Sequence, residues 1–154
     1  MMSGYLQYSP SRKLEPLSGF GAPSMESIKL AEIGRRLTDL AWAGGLIDGE
    51  GYIGVHHNSL RLDVQSTSRI TIEALYQLFK GHCSVERRRT KTGRPVFRWA
   101  VHGKNARSVL TILGPYLIEK KRQAEISVSY YKFPPHSAMR ASIERRLKVL
   151  KRVV

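Results

Sequence analysis

The sequence contains one cysteine and no long apolar run. Cys83 has no second cysteine to pair with, which excludes an internal disulfide and a zinc site built from cysteines. The adjacent pairs His56-His57 and His82-Cys83 also lack the spacing of metal ligands. No apolar run is long enough to span a bilayer, and no apolar segment near the N-terminus marks a signal peptide. We therefore expect a soluble intracellular protein without a membrane partner.

Acidic residues are also scarce, which leaves a large excess of positive charge. The 26 Lys and Arg residues outnumber the 12 Asp and Glu residues, so the formal net charge is +14 over 154 residues. This charge favours nucleic acid as the partner, because a phosphate backbone offers the complementary charge. Charge alone does not separate DNA from RNA, or an enzyme from a packaging protein. The length predicts one domain with a sizeable core.

Composition divides the chain into three parts. Residues 1–24 are rich in Ser, Gly, Pro and Tyr and show no sustained period, which predicts a flexible N-terminal arm. Residues 25–133 alternate between helical and strand-like periods, which predicts one domain. Residues 134–154 begin with two prolines and continue as a basic segment, which predicts a helical C-terminal tail.

The periodicity inside this domain changes repeatedly between helix and strand. Helical spacing begins near Ser24 or Ser27 and ends at the glycines after Ala43, with Gly34 or Thr38-Asp39 as a break between two helices. The next elements are predicted at 52–57, 60–66, 70–81, 84–90, 95–101, 105–113 (capped by Asn105) and 118–131, followed by the basic helix at about 138–150. The order αββαββα predicts an α+β fold in which an antiparallel sheet forms a saddle backed by helices.

One face of the predicted sheet is apolar and the other is polar. Leu60, Leu62 and Val64 alternate with Arg61, Asp63 and Gln65, and the other strands alternate in the same way. The polar face predicts DNA contacts, because Arg and Gln can make paired hydrogen bonds to base edges in the major groove. A solvated outer face is the alternative. The candidate contacts on and between the strands are Tyr52, His56, Asn58, Arg61, Asp63, Gln65, Ser84, Glu86, Arg88, Arg94 and Arg98, with Lys91 at a hairpin tip.

The segment AGGLIDGEG, residues 43–51, places glycines and two carboxylates between a helical run and a strand-like run. Small residues let two helices approach closely, and Gly49 and Gly51 permit a sharp helix-to-strand turn. One such helix from each of two protomers gives a two-fold interface, with the two copies of Glu50 side by side. These carboxylates repel each other unless a divalent cation lies between or beside them. A glycine-rich helix end with incidental acids is the alternative interpretation.

This segment resembles the LAGLIDADG motif of homing endonucleases. It matches the LAGLIDGEG variant at seven of nine positions, with Ala43 and Gly44 replacing the motif Leu and Ala. The order of elements after the motif and the run 115–124 are also similar to members that carry a single motif, and the sequence holds no second copy. The resemblance covers about residues 37–132.

The resemblance implies a site-specific endonuclease that works as a homodimer. Such an enzyme cuts a long, roughly two-fold symmetric site in double-stranded DNA and promotes the mobility of its own intron or intein. Glu50 is then the catalytic acid and a ligand, together with Gly49, of Mg²⁺ or another divalent cation such as Mn²⁺. Lys120 is implied near the scissile phosphate, where a cation stabilises the charge that builds on its oxygens. Lys121 takes this role if the register shifts by one residue.

Further assignments follow from the same resemblance. Ser68 and Arg69 are expected at the active site and on DNA, because relatives supply polar and basic side chains after the second strand. Asp48 is expected to orient or cap the helix end. The predicted dimer interface consists of Ala43, Gly44, Leu46, Ile47 and Asp48.

Two other functions fit the same fold. The first is an RNA maturase that assists intron splicing, with the basic segment 140–152 serving either DNA or RNA. The second is a DNA-binding regulator that does not cleave. A heterologous partner is the alternative to a homodimer, because the sequence carries one motif only.

Overall fold

The computed structural model describes residues 24–87 and 93–153. In this part of the chain, five α-helices accompany one four-stranded antiparallel sheet. The elements are α1 (Met25–Glu50), β1 (Gly51–His56), β2 (Ser59–Ser66), α2 (Arg69–Phe79), β3 (His82–Arg87), β4 (Pro95–His102), α3 (Gly103–Leu113), α4 (Lys121–Val128) and α5 (Ala138–Val153).

The predicted α+β class and the order αββαββα are confirmed, and the helices α4 and α5 complete the chain. Two short 3₁₀ turns, Gly114–Tyr116 and Tyr130–Lys132, lie on either side of α4. No helix among the described residues is both long and apolar enough to cross a membrane. Residues 1–23 of the predicted arm, Arg88 and Lys91 lie outside the described residues.

The first helix is continuous, so the predicted break at Gly34 or Thr38-Asp39 is wrong. The side chain of Ser24 accepts a hydrogen bond from the backbone N–H of Ser27 and caps the helix. Thr38 remains helical because its hydroxyl donates to the carbonyl oxygen of Gly34 at 2.9 Å.

The sheet joins its two hairpins through the central strands in the order β1-β2-β4-β3. Ile53, Leu62 and Val101 stand opposite one another across three strands, and their apolar face packs against α1, α2 and α3. Asp63 stands opposite Tyr52 on one side and Ala100 on the other, and these three residues belong to the opposite, polar face of the sheet. The predicted apolar and polar faces are therefore confirmed.

The C-terminal helix packs against the domain and is not detached from it. Ile143 and Leu147 are buried with Tyr130 in a second small core. Arg140 is also buried, since it donates to the carbonyl oxygen of Phe133 at 2.9 Å and stacks over the ring of Tyr130. Arg140 is thus occupied within the protomer and cannot serve as a nucleic-acid contact in this arrangement.

Two helices have boundaries that differ from the predicted ones. Gly103, with φ 62°, turns the chain directly from β4 into α3, so His102 is the N-cap and Asn105 lies inside the helix. The predicted helix at 118–131 is shorter, since α4 spans Lys121–Val128 and a 3₁₀ turn follows. Residues 118–120 before α4 form a bend that holds the end of α1, as described below.

Candidate nucleic-acid interface and active centre

The polar face of the sheet forms an open groove with a volume of about 760 Å³. Six of the predicted DNA contacts line it together with Glu50, the predicted catalytic acid. The lining residues are Glu50, Tyr52, His56, Arg61, Asp63, Gln65, Ser66, Thr67, Val96 and Arg98. Strand alternation therefore placed the predicted contacts of β1, β2 and β4 on one surface. Ser66 and Thr67 were missed, because they lie where the alternation of β2 ends.

Asp63 is a buried carboxylate between two guanidinium groups. Its Oδ2 lies 2.7 Å from Nε of Arg61 and accepts a hydrogen bond from Nη2 of Arg98 at 3.0 Å. Burial raises the pKa of Asp63, and the charge of Arg61 opposes this shift. The prediction of Asp63 as a direct DNA contact is wrong, because only 6% of its side chain is exposed. Its carboxylate instead contacts both Arg61 and Arg98 and holds the two guanidinium groups side by side.

The remaining candidates on β3 and beside β4 share this surface. Ser84 stands opposite Arg98, and Glu86 stands opposite Val96, both on the polar side of the sheet. Arg94 is exposed immediately before β4. The cluster of Asp63 and its two arginines keeps a surplus of positive charge in either protonation state of the carboxyl group. The surface thus presents guanidinium donors of the kind that bind base edges and phosphates in nucleic acids.

Three further predicted DNA contacts are not among the residues that line the groove. Asn58 sits in the β1–β2 turn at φ 59°, and its amide contacts the ring of His136 at 3.2 Å. Ser68 caps α2 through its hydroxyl. Arg69 pairs with Glu73 at 2.6 Å. Both residues are exposed and contribute to the start of α2, and their expected contacts with DNA stay a prediction.

The junction between α1 and β1 brings Glu50 to the groove. The backbone N–H of Gly51 donates to the carbonyl oxygen of Ile47, and a Cβ atom on Gly51 would lie 2.5 Å from that oxygen. Glycine is therefore required for this tight turn. Glu50 is exposed as the last residue of α1, and Gly49 beside it is also exposed. The carbonyl group of Gly49 is one of the last four of the helix, which have no partner inside the helix.

Asp48 ties the end of α1 to the segment before α4. Its carboxylate accepts hydrogen bonds from the backbone N–H groups of Ile118 at 2.6 Å and Lys120 at 2.9 Å. In return, the ammonium group of Lys120 donates to the carbonyl oxygen of Asp48. Asp48 therefore orients the end of α1, as expected, and the carbonyl group that Lys120 contacts lies two residues before Glu50. The carboxylate of Asp48 is engaged within the chain, and the assignment of this partly exposed residue to the dimer interface stays a prediction.

Most of the predicted dimer interface faces the protomer's own core. Ala43 and Ile47 are 0% exposed. Gly44 packs on Tyr116, where an added Cβ atom would lie 2.6 Å from the Cβ of Tyr116. Leu46 is half-buried against the same core. Assignment of Ala43, Gly44 and Ile47 to the interface is therefore wrong, because these residues occupy the inner side of α1.

A different stripe of small residues lies on the outer side of the helix. Ala41, Gly45 and Gly49 follow one another at a spacing of four residues and are all exposed. A Cβ atom added to Gly45 or Gly49 would meet nothing within 4 Å. This stripe leaves room for close approach of another helix.

One cation beside the groove comes from an element that the sequence did not connect with the sheet. Lys151 of α5 lies over the ring of Tyr52, with its Nζ 3.7 Å from the ring centroid. A glycine inside a strand, Gly54, was the available signal, because such a residue marks close approach of another group.

Neither a sequence-family model nor a curated protein sequence matches the chain. Two solved structures of the homing endonuclease I-CvuI share its fold. One, a complex with the I-CreI target in the presence of Mg in which the DNA is not cleaved, gives a TM-score of 0.56 at 19% identity over 74% of this chain and 82% of I-CvuI. The other, a complex with its own target in the presence of Ca, gives a TM-score of 0.59 at 20% identity over 74% and 84%.

The chain has the LAGLIDADG homing endonuclease fold. In this LAGLIDADG fold, residues 43–51 form the C-terminal part of α1 and its junction with β1, as the motif predicted.

Proposed function

We propose that this LAGLIDADG protein is a site-specific DNA endonuclease that acts as a homodimer with a divalent cation. One observation carries the proposal: Glu50 is exposed at the end of α1 in a groove that also contains Arg61 and Arg98. A carboxylate beside guanidinium groups that can bind phosphates would help to hold a divalent cation against a DNA phosphate. The enzyme would act on intracellular DNA and promote the mobility of its own intron or intein.

Double-stranded DNA is the proposed substrate. The guanidinium groups of Arg61 and Arg98 stand on adjacent strands and are held by one carboxylate, which orients them toward the groove. Arginine pairs with guanine through two parallel hydrogen bonds in the major groove. The net charge of +14 supplies the attraction to the DNA backbone that does not depend on sequence.

The proposed metal ion fits the donor atoms of this junction. Mg²⁺ and Mn²⁺ prefer oxygen ligands, and the Glu50 carboxylate and the Gly49 carbonyl would supply them. When bound, the cation supplies positive charge that stabilises the transition state of phosphodiester hydrolysis. Lys120, held at the end of α1 by Asp48, would stabilise negative charge on the same phosphate.

A homodimer would complete this centre. Among the described residues, no three His, Cys, Asp or Glu side chains cluster where they could hold a metal ion. Close packing of Ala41, Gly45 and Gly49 against the same stripe of a second copy would bring the two Glu50 side chains together. Each active centre would then draw on both protomers, and the DNA site would be roughly two-fold symmetric.

The test is a cleavage selection on a randomised duplex library with Mg²⁺, run on the wild type and on Glu50→Gln in parallel. Discrete products from the wild type alone are the expected result, and they also identify the target. Cutting by both proteins would show that Glu50 is not the essential acid. Selective DNA binding without cutting would instead indicate a regulator, and selective binding to structured RNA a maturase.

A further inference from the structure

The C-terminal helix contributes a cation to the polar face of the sheet. α5 packs beside β1, which is an edge strand of the sheet. Near the end of α5, Lys151 extends over the ring of Tyr52, a residue that lines the groove two positions after Glu50. The helix is fixed upstream through the buried residues Ile143 and Leu147, so this lysine belongs to a packed element.

Gly54 provides the space that the lysine occupies. A Cβ atom at this position would lie 2.7 Å from Nζ of Lys151 and 2.6 Å from the hydroxyl oxygen of Tyr52. Gly54 stands opposite Arg61 in the register of β1 and β2, so the notch that it leaves opens on the polar face. A side chain here would displace both the ammonium group and the tyrosine hydroxyl.

The ammonium group of Lys151 is held by the tyrosine ring and has no acidic partner among the residues that the structure describes. A cation over an aromatic face keeps its full charge and can still bind an anion. Its field also reaches the groove, since the charge of Lys151 contributes to lowering the pKa of Asp63 against the larger effect of burial. Lys151 therefore shares the electrostatic environment of Arg61.

We propose that α5 forms part of the DNA interface and that Lys151, held over Tyr52 in the notch at Gly54, binds a backbone phosphate at the β1 edge of the groove. A phosphate suits this position better than a base, because lysine is a compact point charge without the two-pronged geometry of arginine. Contacts of this kind set the position of a protein on DNA, while contacts in the groove read sequence. This inference rests on the proposed function in one respect, which is that the phosphate belongs to DNA.

The experiment measures binding to a random-sequence DNA duplex over a series of salt concentrations, by fluorescence anisotropy, for wild type, Lys151→Met and Lys104→Met. Each phosphate contact contributes about 0.9 to the slope of log K against log salt. We expect Lys151→Met to reduce the slope by about that amount. Lys104→Met is the matched control, because Lys104 is exposed on α3, which packs on the opposite face of the sheet. It removes the same charge and should change the slope less.

Gly54→Ala tests the notch without removing a charge. We expect it to reduce the slope as Lys151→Met does, and the double variant to behave like either single variant. Thermal unfolding confirms that each variant is folded, and Lys151→Met alone decides the matter if Gly54→Ala does not fold. An unchanged slope for Lys151→Met, with a wild type that binds DNA, overturns the role of Lys151 and leaves the proposed function intact. A wild type that fails to bind duplex DNA overturns both.

Discussion

Lys120 donates its ammonium group to the carbonyl oxygen of Asp48, while the carboxylate of Asp48 accepts the backbone N–H of Lys120. The two residues are 72 positions apart in the sequence, so this reciprocal pair fixes the end of α1 against the entry to α4. Glu50 follows Asp48 by two residues. The proposed acid and the proposed phosphate-stabilising cation are therefore positioned by the same set of hydrogen bonds.

Replacement of Lys120 by Met should reduce DNA cleavage by about 10²-fold or more, since removal of one preorganised donor to a developing anion has an effect of that order. Lys121→Met is the matched control, because Lys121 is exposed at the start of α4. The measurement is the single-turnover cleavage rate of each variant on the selected target, and it shows which of the two lysines acts on the phosphate. If Lys121→Met had the larger effect, the alternative register of this cation would be correct.

Gly44 and Gly45 should respond in opposite ways to larger side chains. Gly44→Ala should lower the free energy of unfolding by about 1–3 kcal/mol, because its Cβ atom would overlap Tyr116. Gly45→Leu should leave the protomer folded, because the space beside Gly45 is open, but should block approach of a second helix. Chemical denaturation measures the first effect, and sedimentation equilibrium measures the second. A dimeric Gly45→Leu protein would exclude the outer stripe as the interface.

Asp63→Asn should weaken sequence discrimination more than it weakens general attraction to DNA. Loss of the shared carboxylate releases Arg61 and Arg98, and each arginine–guanine pair accounts for about 1–3 kcal/mol of discrimination. The measurement compares affinity for the selected target with affinity for a random duplex. Glu125→Gln serves as the control, since it removes an exposed acid of α4 that is not among the candidate DNA contacts. Equal losses on both duplexes would contradict an orienting role.

The stability of the protein should depend on pH through Asp63. Burial raises the pKa of this carboxyl group in the folded state above its ordinary value of 3.8, so the folded protein binds the proton more tightly than the unfolded chain. The contribution of Asp63 to the free energy of unfolding is fully present below the pKa that this group has in the unfolded chain. It is lost as pH rises through the higher pKa that the group has in the folded protein. The free energy of unfolding of the wild type should therefore fall relative to Asp63→Asn over that interval. Urea denaturation at a series of pH values measures it, and a constant difference would contradict the shift.

Alternation within strands carried reliable information about the polar face. Arg61 and Gln65 were placed with Arg98 from sequence alone, because successive strand residues face opposite sides of a sheet and the apolar set must be buried. Asp63 had the correct side but the wrong role, since alternation does not reveal that two arginines from neighbouring strands close over a carboxylate.

Helical phase was less well determined. The motif contains small residues on both sides of α1, so Ala43 and Gly45 were equally plausible interface residues by size. Packing against Tyr116 and the sheet turned Ala43, Gly44 and Ile47 inward and left Ala41, Gly45 and Gly49 outside. The side of a helix that faces the core is decided by the elements that pack against it, and not by the size of its residues. The sequence therefore did not show which side of α1 is free for a partner.

The sequence by itself determined the charge, the α+β order, the two faces of the sheet and the glycine turn that delivers Glu50. Each of these depends on composition or on neighbours along the chain. Only the tertiary structure decided that Asp48 engages Lys120, that Asp63 joins Arg61 to Arg98 and that Lys151 reaches Tyr52. These contacts join residues from different elements, and their geometry is set by how the helices pack on the sheet.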